Sequence, residues 1–238
     1  MLEAVLFDWG DTLMEFRYDE ELMDTAFRAG LAALGRENLP VDDIRTHFRE
    51  RFEPLFWVPG TVEEIEYPGM IRDALAHFGI RLGDDELARF LEAEHAAWEP
   101  ARVLGSITHA LLEGLHDRGL KLGLVSNAFD PGWLLHQDLE HMGLADRLDF
   151  AVFSSEVGVR KPDPRIFRRA LDALGVEPEN ALFVGDRLYE DVRGAGELGM
   201  TTVQALWFRA DEHPAGVEPD HQAFTQLDVL NIARRFLA

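Results

Sequence analysis

Five short apolar runs, spread along a chain of 238 residues, constrain the fold more than any other feature. They are EAVLFD (3–8), KLGLVS (121–126), FAVFSS (150–155), ALFVGD (181–186) and TTVQAL (201–206). Each run is nearly continuously apolar, as expected of a strand that is buried on both faces of a sheet. Helical patterns lie between the later runs. The sequence therefore predicts a doubly wound α/β fold with a parallel sheet.

The first two runs are separated by about a hundred residues, far more than a strand–helix–strand crossover needs. Apolar residues recur at helical spacing in this gap, as in the set Val41, Ile44, Phe48 and Phe52. We therefore predict a helical cap domain at residues 16–98, inserted into a core domain that consists of residues 1–15 and 99–238. Trp57 and Tyr67 are expected to pack inside this cap.

Composition excludes several classes of protein. The formal net charge is −21, from 44 acidic and 23 basic residues, and such a surface repels nucleic acid and anionic membranes. The chain has no cysteine, which excludes disulfides, thiolate nucleophiles and cysteine-ligated metals. It shows no basic leader and no apolar run of the ~20 residues that span a bilayer. We expect a soluble, cytoplasmic protein with no nucleic-acid or membrane partner.

Polar residues follow the apolar runs at their carboxyl ends, where ligands bind in an open α/β sheet. Asp8 ends the first run, Ser126 and Asn127 end the second, and Asp186 ends the fourth. Lys161 precedes the helical pattern that follows the third run. Each of these residues alone is typical of a turn or a helix cap. Their convergence on one edge of one sheet indicates a functional site.

The acidic residues of this edge predict a metal-dependent reaction. Asp8, Asp186 and Asp191 would concentrate negative charge, which requires a cation nearby. Oxygen ligands with room for water favour Mg²⁺ over Ca²⁺. A carboxylate beside Mg²⁺, a lysine and a hydroxyl group can attack phosphorus and form an aspartyl phosphate. The pattern therefore indicates a hydrolase that acts on a small phosphorylated metabolite.

Four motifs in order resemble those of the haloacid dehalogenase superfamily. They are VLFDWGDTL (5–13), LGLVSN (122–127), GVRKPDPRIF (158–167) and ALFVGDRLYEDVRGAGELGM (181–200). The resemblance covers nearly the whole chain, and the fourth motif is long and specific. It implies a Rossmann-like core with an inserted helical cap, and Mg²⁺-dependent hydrolysis through an aspartyl phosphate.

The resemblance also implies a role for individual residues. The implied catalytic residues are Asp8 (the nucleophile), Ser126 and Lys161. The implied substrate-binding residues are Thr12, Ser126, Asn127 and Lys161. The implied ligands of Mg²⁺ are Asp8, the backbone carbonyl of Gly10, Asp186 and Asp191.

The first motif departs from the usual pattern at residue 10. Phosphatases of this family usually carry a second aspartate there, which protonates the leaving group and later activates water. This chain has Gly10 instead, followed by Asp11. Side chains alternate along an extended chain, so Asp11 should lean away from Asp8. We predict that Asp11 accepts hydrogen bonds from backbone amides in the loop towards the cap and is not the displaced acid.

Two other functions remain open besides the phosphatase. One is a metal-independent 2-haloacid dehalogenase. Such enzymes lack an acidic fourth motif, so the acidic motif GDRLYED (185–191) argues against this function. A weakly active or inactive phosphate-binding regulatory protein would tolerate the loss of the acid at residue 10. Phosphonoacetaldehyde hydrolases use a lysine of the cap, and residues 16–98 contain no lysine.

Overall fold

A parallel six-stranded sheet forms the centre of the protein, in a computed structural model that describes residues 1–56, 58, 61–208 and 217–237. Numbered along the chain, its strands are β1 (Ala4–Phe7), β4 (Lys121–Ser126), β5 (Phe150–Phe153), β6 (Ala181–Gly185), β7 (Thr201–Ala205) and β8 (His221–Ala223). Their spatial order is β5-β4-β1-β6-β7-β8, and every pair is parallel. The chain extends the sheet first on one side of β1 and then on the other. The predicted doubly wound parallel sheet is confirmed.

Helices cover both faces of this sheet, as the continuous apolar character of its strands requires. They are α5 (Thr108–His116), α6 (Gly132–His141), α7 (Ser154–Val157), α8 (Pro164–Leu174), α9 (Gly194–Glu197) and α10 (Gln226–Arg234). Val5 and Phe7 of β1 pack into a hydrophobic cluster with α5, α6 and α10. Ala4 and Leu6 pack into a second cluster with α8 and α9 on the opposite face. Alternate residues of one strand thus contribute to two cores.

Helix α8 shows how local sequence sets an element's ends. The Asp163 side chain caps its first turn by accepting a hydrogen bond from the backbone amide of Arg165 at 2.9 Å, and Pro164 begins the helix. Gly175 ends the helix with a left-handed φ of 64°, which a residue without a Cβ adopts freely. Both ends of the helix are thus set by residues next to them in the sequence.

A helical segment lies between the first two strands of the sheet. Its helices are α1 (Glu20–Ala32), α2 (Val41–Phe52), α3 (Tyr67–His77) and α4 (Asp84–Ala96). Their apolar faces form a hydrophobic cluster that includes Phe27, Ile44, Ile71 and Phe90. Leu134 of α6 joins this cluster, so the segment packs against the sheet-bearing part. The division into a cap at 16–98 and a core stays a prediction.

Two short strands connect the helical segment to the sheet-bearing part. Strand β2 (Met14–Phe16) and strand β3 (Arg102–Leu104) pair in antiparallel register, with Phe16 opposite Arg102. The chain therefore leaves the sheet-bearing part and returns to it side by side. Short 3₁₀ turns and one π-helical turn complete the architecture, at Glu53–Leu55, Glu99–Ala101, Ala145–Arg147, Pro178–Asn180 and Leu188–Arg193.

The aromatic residues expected inside the helical segment have different outcomes. Tyr67 is buried and packs against Phe48 and Phe56, as predicted, and it also contacts Phe129 beyond the segment. Trp57 lies outside the described residues. Within the described ranges, no helix is both long enough and apolar enough to cross a membrane.

A buried histidine joins α4 to the sheet-bearing part. His95 Nδ1 lies 3.0 Å from an oxygen of Asp130, and Nε2 lies 2.9 Å from Oδ2 of Asp138 on α6. Arg102 donates to the second oxygen of Asp138 at 3.1 Å and to the backbone carbonyl of His95 at 3.0 Å. Burial lowers the pKa of His95, but the hydrogen bonds to Asp130 and Asp138 outweigh it and raise the pKa to about 9.

Folding stability should therefore depend on the protonation of His95. The His95 contribution is complete below the unfolded pKa of 6.5 and is lost as the pH rises through about 9. A difference of this size corresponds to roughly 3 kcal/mol of unfolding free energy. Urea unfolding of wild type and His95→Gln at pH 6 and pH 9.5 measures it. The variant should lose much less stability between the two pH values.

His116→Gln, at an exposed position of α5, is the control and should follow the wild type. If the free energy of unfolding changed equally with pH in wild type and in His95→Gln, His95 would not be a protonated partner of Asp130 and Asp138.

Candidate active site

Three neighbouring strands bring the predicted polar residues to one edge of the sheet. Asp8 follows β1, Ser126 ends β4 and Asp186 follows β6. Because β1 lies between β4 and β6, these three residues are adjacent at the carboxyl edge. The direction of winding changes between β1 and β6, so Asp8 and Asp186 flank the point where open α/β sheets bind ligands.

Three buried carboxylates meet a single lysine at this edge. Asp8, Asp186 and Asp191 each offer an oxygen, and these atoms lie within 4.8 Å of one another. We call these three residues the acidic cluster. Lys161 donates hydrogen bonds to Oδ1 of Asp8 and to Oδ1 of Asp191, both at 2.6 Å. Burial disfavours the charged ammonium, but the Asp191 and Asp8 carboxylates outweigh it and raise the pKa of Lys161.

The chain after β6 places Asp191 by a combination of a glycine and a π-helical turn. The Asp191 carboxylate lies against Gly185, in the space that a Cβ at residue 185 would occupy. Its second oxygen accepts a hydrogen bond from the backbone amide of Arg187 at 2.9 Å. The π-helical turn at Leu188–Arg193 carries Asp191 back over the strand end. Turns of this kind are frequent at functional sites.

Asp186 is a buried carboxylate with no hydrogen-bonding partner in the part of the chain that the structure describes. It is 1% exposed, and among the described residues neither of its oxygens has a hydrogen bond. Burial, together with the Asp191 and Asp8 charges, raises the pKa of Asp186 to about 8. Burial also raises the pKa of Asp191 to about 6, although Lys161 opposes the rise. A hard divalent cation would satisfy these oxygens, and the donor set therefore fits Mg²⁺.

The side-chain amide of Asn127 fixes the backbone of residue 161. The backbone amide of Lys161 donates to Oδ1 of Asn127 at 2.7 Å, and Nδ2 of Asn127 donates to the Lys161 carbonyl at 3.2 Å. This pair of bonds positions the lysine loop against the end of β4. Ser126 and Asn127 also line the cavity above the acidic cluster, where the resemblance places substrate contacts.

The loop after β1 holds the remaining residues of the first motif. Thr12 is fully buried and does not line the cavity, so the structure does not bring its side chain to the open part of the site. Gly10 does line the cavity, and a Cβ built on it meets no atom within 4 Å. Asp11 has a left-handed φ of 56°, and the backbone amide of Phe16 donates to its Oδ1 at 3.1 Å. The predicted hydrogen bond of Asp11 to a backbone amide is confirmed, although the donor lies at the end of β2 and not in a loop, and Asp11 also lines the cavity.

A cavity of about 740 Å³ extends from the acidic cluster to the helical segment. Sites that enclose a small organic molecule have volumes of roughly 300–1,000 Å³. Asp8, Asp191 and Lys161 contribute to its walls. Many other wall residues are aromatic, namely Trp9, Phe16, Tyr18, Phe27, Phe48, Phe56, Tyr67, Trp98 and Phe129. The cavity thus combines a charged region suited to a phosphoryl group with a largely apolar region for the rest of a substrate.

The sequence patterns did not single out several polar residues of this cavity. They are Glu94, His95, Arg102, Asp130 and Arg160. Glu94 Oε1 accepts hydrogen bonds from the Tyr67 hydroxyl at 3.1 Å and from Trp98 Nε1 at 3.2 Å. Burial and the nearby Asp130 raise the pKa of Glu94 to about 7. The one available signal was an acidic residue at an apolar position of α4, beside Leu91 and Phe90.

A family model described as haloacid dehalogenase-like hydrolase matches residues 2–199. The chain belongs to the haloacid dehalogenase-like hydrolases. The four motifs that suggested the family lie inside the matched range or end one residue beyond it. The prediction of a hydrolase of this family is confirmed.

Two relatives with named activities are similar over most of the chain. A glyceraldehyde 3-phosphate phosphatase of Methanopyrus kandleri is 30% identical over 86% of this chain and 84% of its own length. A phosphoserine phosphatase of Thermus thermophilus is 37% identical over 71% of this chain and 63% of its own length.

A solved structure shares the fold over almost its full length. The crystal structure of a 2-haloacid dehalogenase from Pseudomonas syringae pv. Tomato DC3000 superposes with a TM-score of 0.72. It covers 99% of this chain and 100% of its own, at 23% identity. At this identity the likeness concerns the fold alone.

Magnesium should stabilise the protein through Asp186. Binding to the folded state raises the melting temperature, and Mg²⁺ also relieves the repulsion within the acidic cluster. Wild type should melt several degrees higher in millimolar Mg²⁺ than in chelator, as measured by differential scanning fluorimetry. Asp186→Asn should melt above wild type in chelator and gain little from Mg²⁺.

Asp172→Asn, at an exposed position of α8, is the matched control and should respond like wild type. A full Mg²⁺ shift in Asp186→Asn would rule out Asp186 as a ligand.

Proposed function

We propose that the protein hydrolyses small phosphate monoesters with bound Mg²⁺, using Asp8 as the nucleophile. The observation that carries this proposal is the buried Asp186 carboxylate, which has no hydrogen bond among the described residues and lies beside Asp8. The relatives named as phosphatases support the same reaction class. The substrate is then a small phosphorylated molecule that fits the cavity of about 740 Å³.

The proposed ligands of Mg²⁺ are Asp8, the carbonyl of Gly10, Asp186 and Asp191. The acidic cluster supplies three carboxylates within 4.8 Å, and Gly10 lies in the loop that follows Asp8. Bound Mg²⁺ would offset the charge of the phosphoryl oxygens as it develops. Ser126, Asn127 and Lys161 are the proposed contacts of the phosphoryl group. Thr12 was predicted as a fourth contact, but its buried side chain does not line the cavity.

The residues of the site divide the reaction into two displacements. Lys161 holds Oδ1 of Asp8, which leaves Oδ2 to attack phosphorus. The bond from Asp8 to phosphorus forms while the bond to the ester oxygen breaks, and the departing alkoxide takes a proton from solvent. Water then attacks the aspartyl phosphate. The phosphorus–Asp8 bond breaks, and phosphate leaves with the Asp8 carboxylate restored.

The two alternative functions differ in what they require of the acidic cluster. A metal-independent dehalogenase would attack carbon with Asp8 beside two further carboxylates, whose charges would oppose the attack. A regulatory phosphate-binding protein would need the cluster and the lysine but no turnover. Gly10 is the observation that favours this second alternative, because general acid–base catalysis typically contributes roughly 10²–10⁴-fold.

Replacement of the nucleophile gives the first test of the proposal. Asp8→Asn should abolish release of phosphate from p-nitrophenyl phosphate in Mg²⁺, since the amide cannot form the acyl phosphate. Wild type should lose the activity in excess chelator. Release of chloride from 2-chloropropionate, measured in parallel, should be absent under both conditions.

Asp117→Asn, at an exposed position directly after α5, is the control for the loss of one negative charge and should keep the activity. Full activity in chelator, or chloride release that exceeds phosphate release, would favour the dehalogenase. Mg²⁺ and phosphate binding with no turnover of any ester would favour the regulatory protein.

The missing acid gives a second test. Without a proton donor at residue 10, the rate should depend steeply on the leaving group, with p-nitrophenyl phosphate fast and alkyl phosphates slow. Gly10→Asp should raise kcat for alkyl phosphates by about tenfold or more, because a side chain at residue 10 has open space and can donate a proton. Gly10→Asn is the matched control and should give no such increase.

Asp11→Asn keeps an acceptor for the Phe16 amide but cannot donate a carboxylic proton. It should retain turnover of alkyl phosphates within about tenfold. A loss of roughly 10²–10⁴-fold, confined to alkyl phosphates, would identify Asp11 as the acid.

A further inference from the structure

Glu94 places a buried carboxylate in the wall of the cavity, on the helical segment. The residue is 4% exposed and lines the cavity together with Tyr67, Trp98 and Phe129. Its Oε1 atom accepts two hydrogen bonds, one from the Tyr67 hydroxyl and one from Trp98 Nε1. Its Oε2 atom is buried and has no hydrogen bond among the described residues. One oxygen is therefore available to a donor that the described residues do not provide.

The carboxylate also lacks a positive partner. Among the described residues, no basic nitrogen lies within 4.0 Å of Glu94, whereas other acids of the same wall are paired. Asp130 pairs with His95, Glu53 with Arg49, and Glu190 with Arg187. Burial and the charge of Asp130 raise the pKa of Glu94, and the charge of His95 offsets them only in part. A buried carboxylate without a counterion is costly, and a cation bound beside it removes that cost.

Aromatic rings surround this end of the cavity. The ring centroids of Tyr67 and Phe129 are 5.0 Å apart, and those of Phe56 and Phe129 are also 5.0 Å apart. All three rings line the cavity. Aromatic faces attract organic cations, most strongly where water is excluded. A carboxylate beside three rings favours an ammonium group over a neutral or an anionic group.

We infer that Glu94, with Phe56, Tyr67 and Phe129, binds an ammonium group on the leaving group of the substrate. The inference rests on the proposed phosphatase function and narrows its substrate class to phosphate esters of amino alcohols. Lys161 and the acidic cluster hold the phosphoryl end, and Glu94 selects the other end of the molecule. An anionic leaving group is disfavoured, because it would meet the charges of Glu94 and Asp130.

The test compares ω-aminoalkyl phosphates of increasing chain length with n-alkyl phosphates of the same carbon number. Wild type should hydrolyse at least one amine ester with a higher kcat/KM than its neutral match. In Glu94→Gln this preference should fall by about 10- to 100-fold, mainly through KM, since the loss is that of a charge-assisted hydrogen bond. Glutamine keeps the size of the side chain and an acceptor for Tyr67 and Trp98. Glu92→Gln, at an exposed position of the same helix, is the matched control and should keep the preference.

The outcomes separate this inference from the proposed function. A wild type that shows no preference for any amine ester overturns the inference without use of a variant. An equal fall for amine and neutral esters in Glu94→Gln also overturns it, because Glu94 would then act on every leaving group. If wild type hydrolyses no ester, p-nitrophenyl phosphate included, the phosphatase proposal has failed. In that case the dissociation constants of the amine and neutral esters, measured in Mg²⁺, decide the inference. Asp8→Asn should bind the amine ester more tightly than its neutral match, and Asp8→Asn/Glu94→Gln should lose this preference.

Discussion

The arrangement of the site depends on one lysine held between two carboxylates. Lys161 donates to Asp8 and to Asp191 at 2.6 Å, and all three side chains are buried. One ammonium does not balance three carboxylates. Asp186 has no hydrogen bond among the described residues, and the charge of Arg187 offsets its charge only in part. This imbalance is tolerable only where a cation or a proton supplies the missing charge. The repulsion that would destabilise the acidic cluster without a cation would also favour the binding of a hard metal ion.

The parallel sheet makes this concentration of charge possible. Its strands bring Asp8, Ser126 and Asp186 to one edge without any contact between them along the sequence. Two local devices then complete the site. Gly185 leaves room for the Asp191 carboxylate, and the Asn127 amide fixes the backbone at Lys161. Each device depends on a residue type rather than on bulk packing, which explains why short motifs identify the family.

Much of the core and the charged site could be predicted from the sequence, because continuous apolar runs and strand-end polar residues are local signals. Strands β2, β3 and β8 were missed, since three residues are too few to show a period. Glu94 and His95 were missed for a different reason. Their partners Tyr67, Asp130 and Asp138 are remote in the sequence, and only the packing of α4 against α3 and against α6 with its preceding loop brings them together. Asp11 makes the predicted hydrogen bond to a backbone amide, but its left-handed φ breaks the side-chain alternation that the prediction assumed, and Asp11 lines the cavity.

The two parts of the cavity, at the carboxyl edge of the sheet and at the helical segment, are subject to different physical constraints. The carboxyl edge of the sheet must keep its charges in a fixed arrangement, because the same groups would bind the metal and attack phosphorus. The helical segment does not have to hold charges in a fixed arrangement, so its part of the cavity wall can differ in shape and charge. Gly10 makes that wall more important, because a site without a proton donor at residue 10 relies on the leaving group itself. An ammonium group in the same molecule also lowers the pKa of the departing alcohol, to the extent that the Glu94 carboxylate does not offset its charge. The absence of the acid and the presence of Glu94 are therefore compatible features of one site.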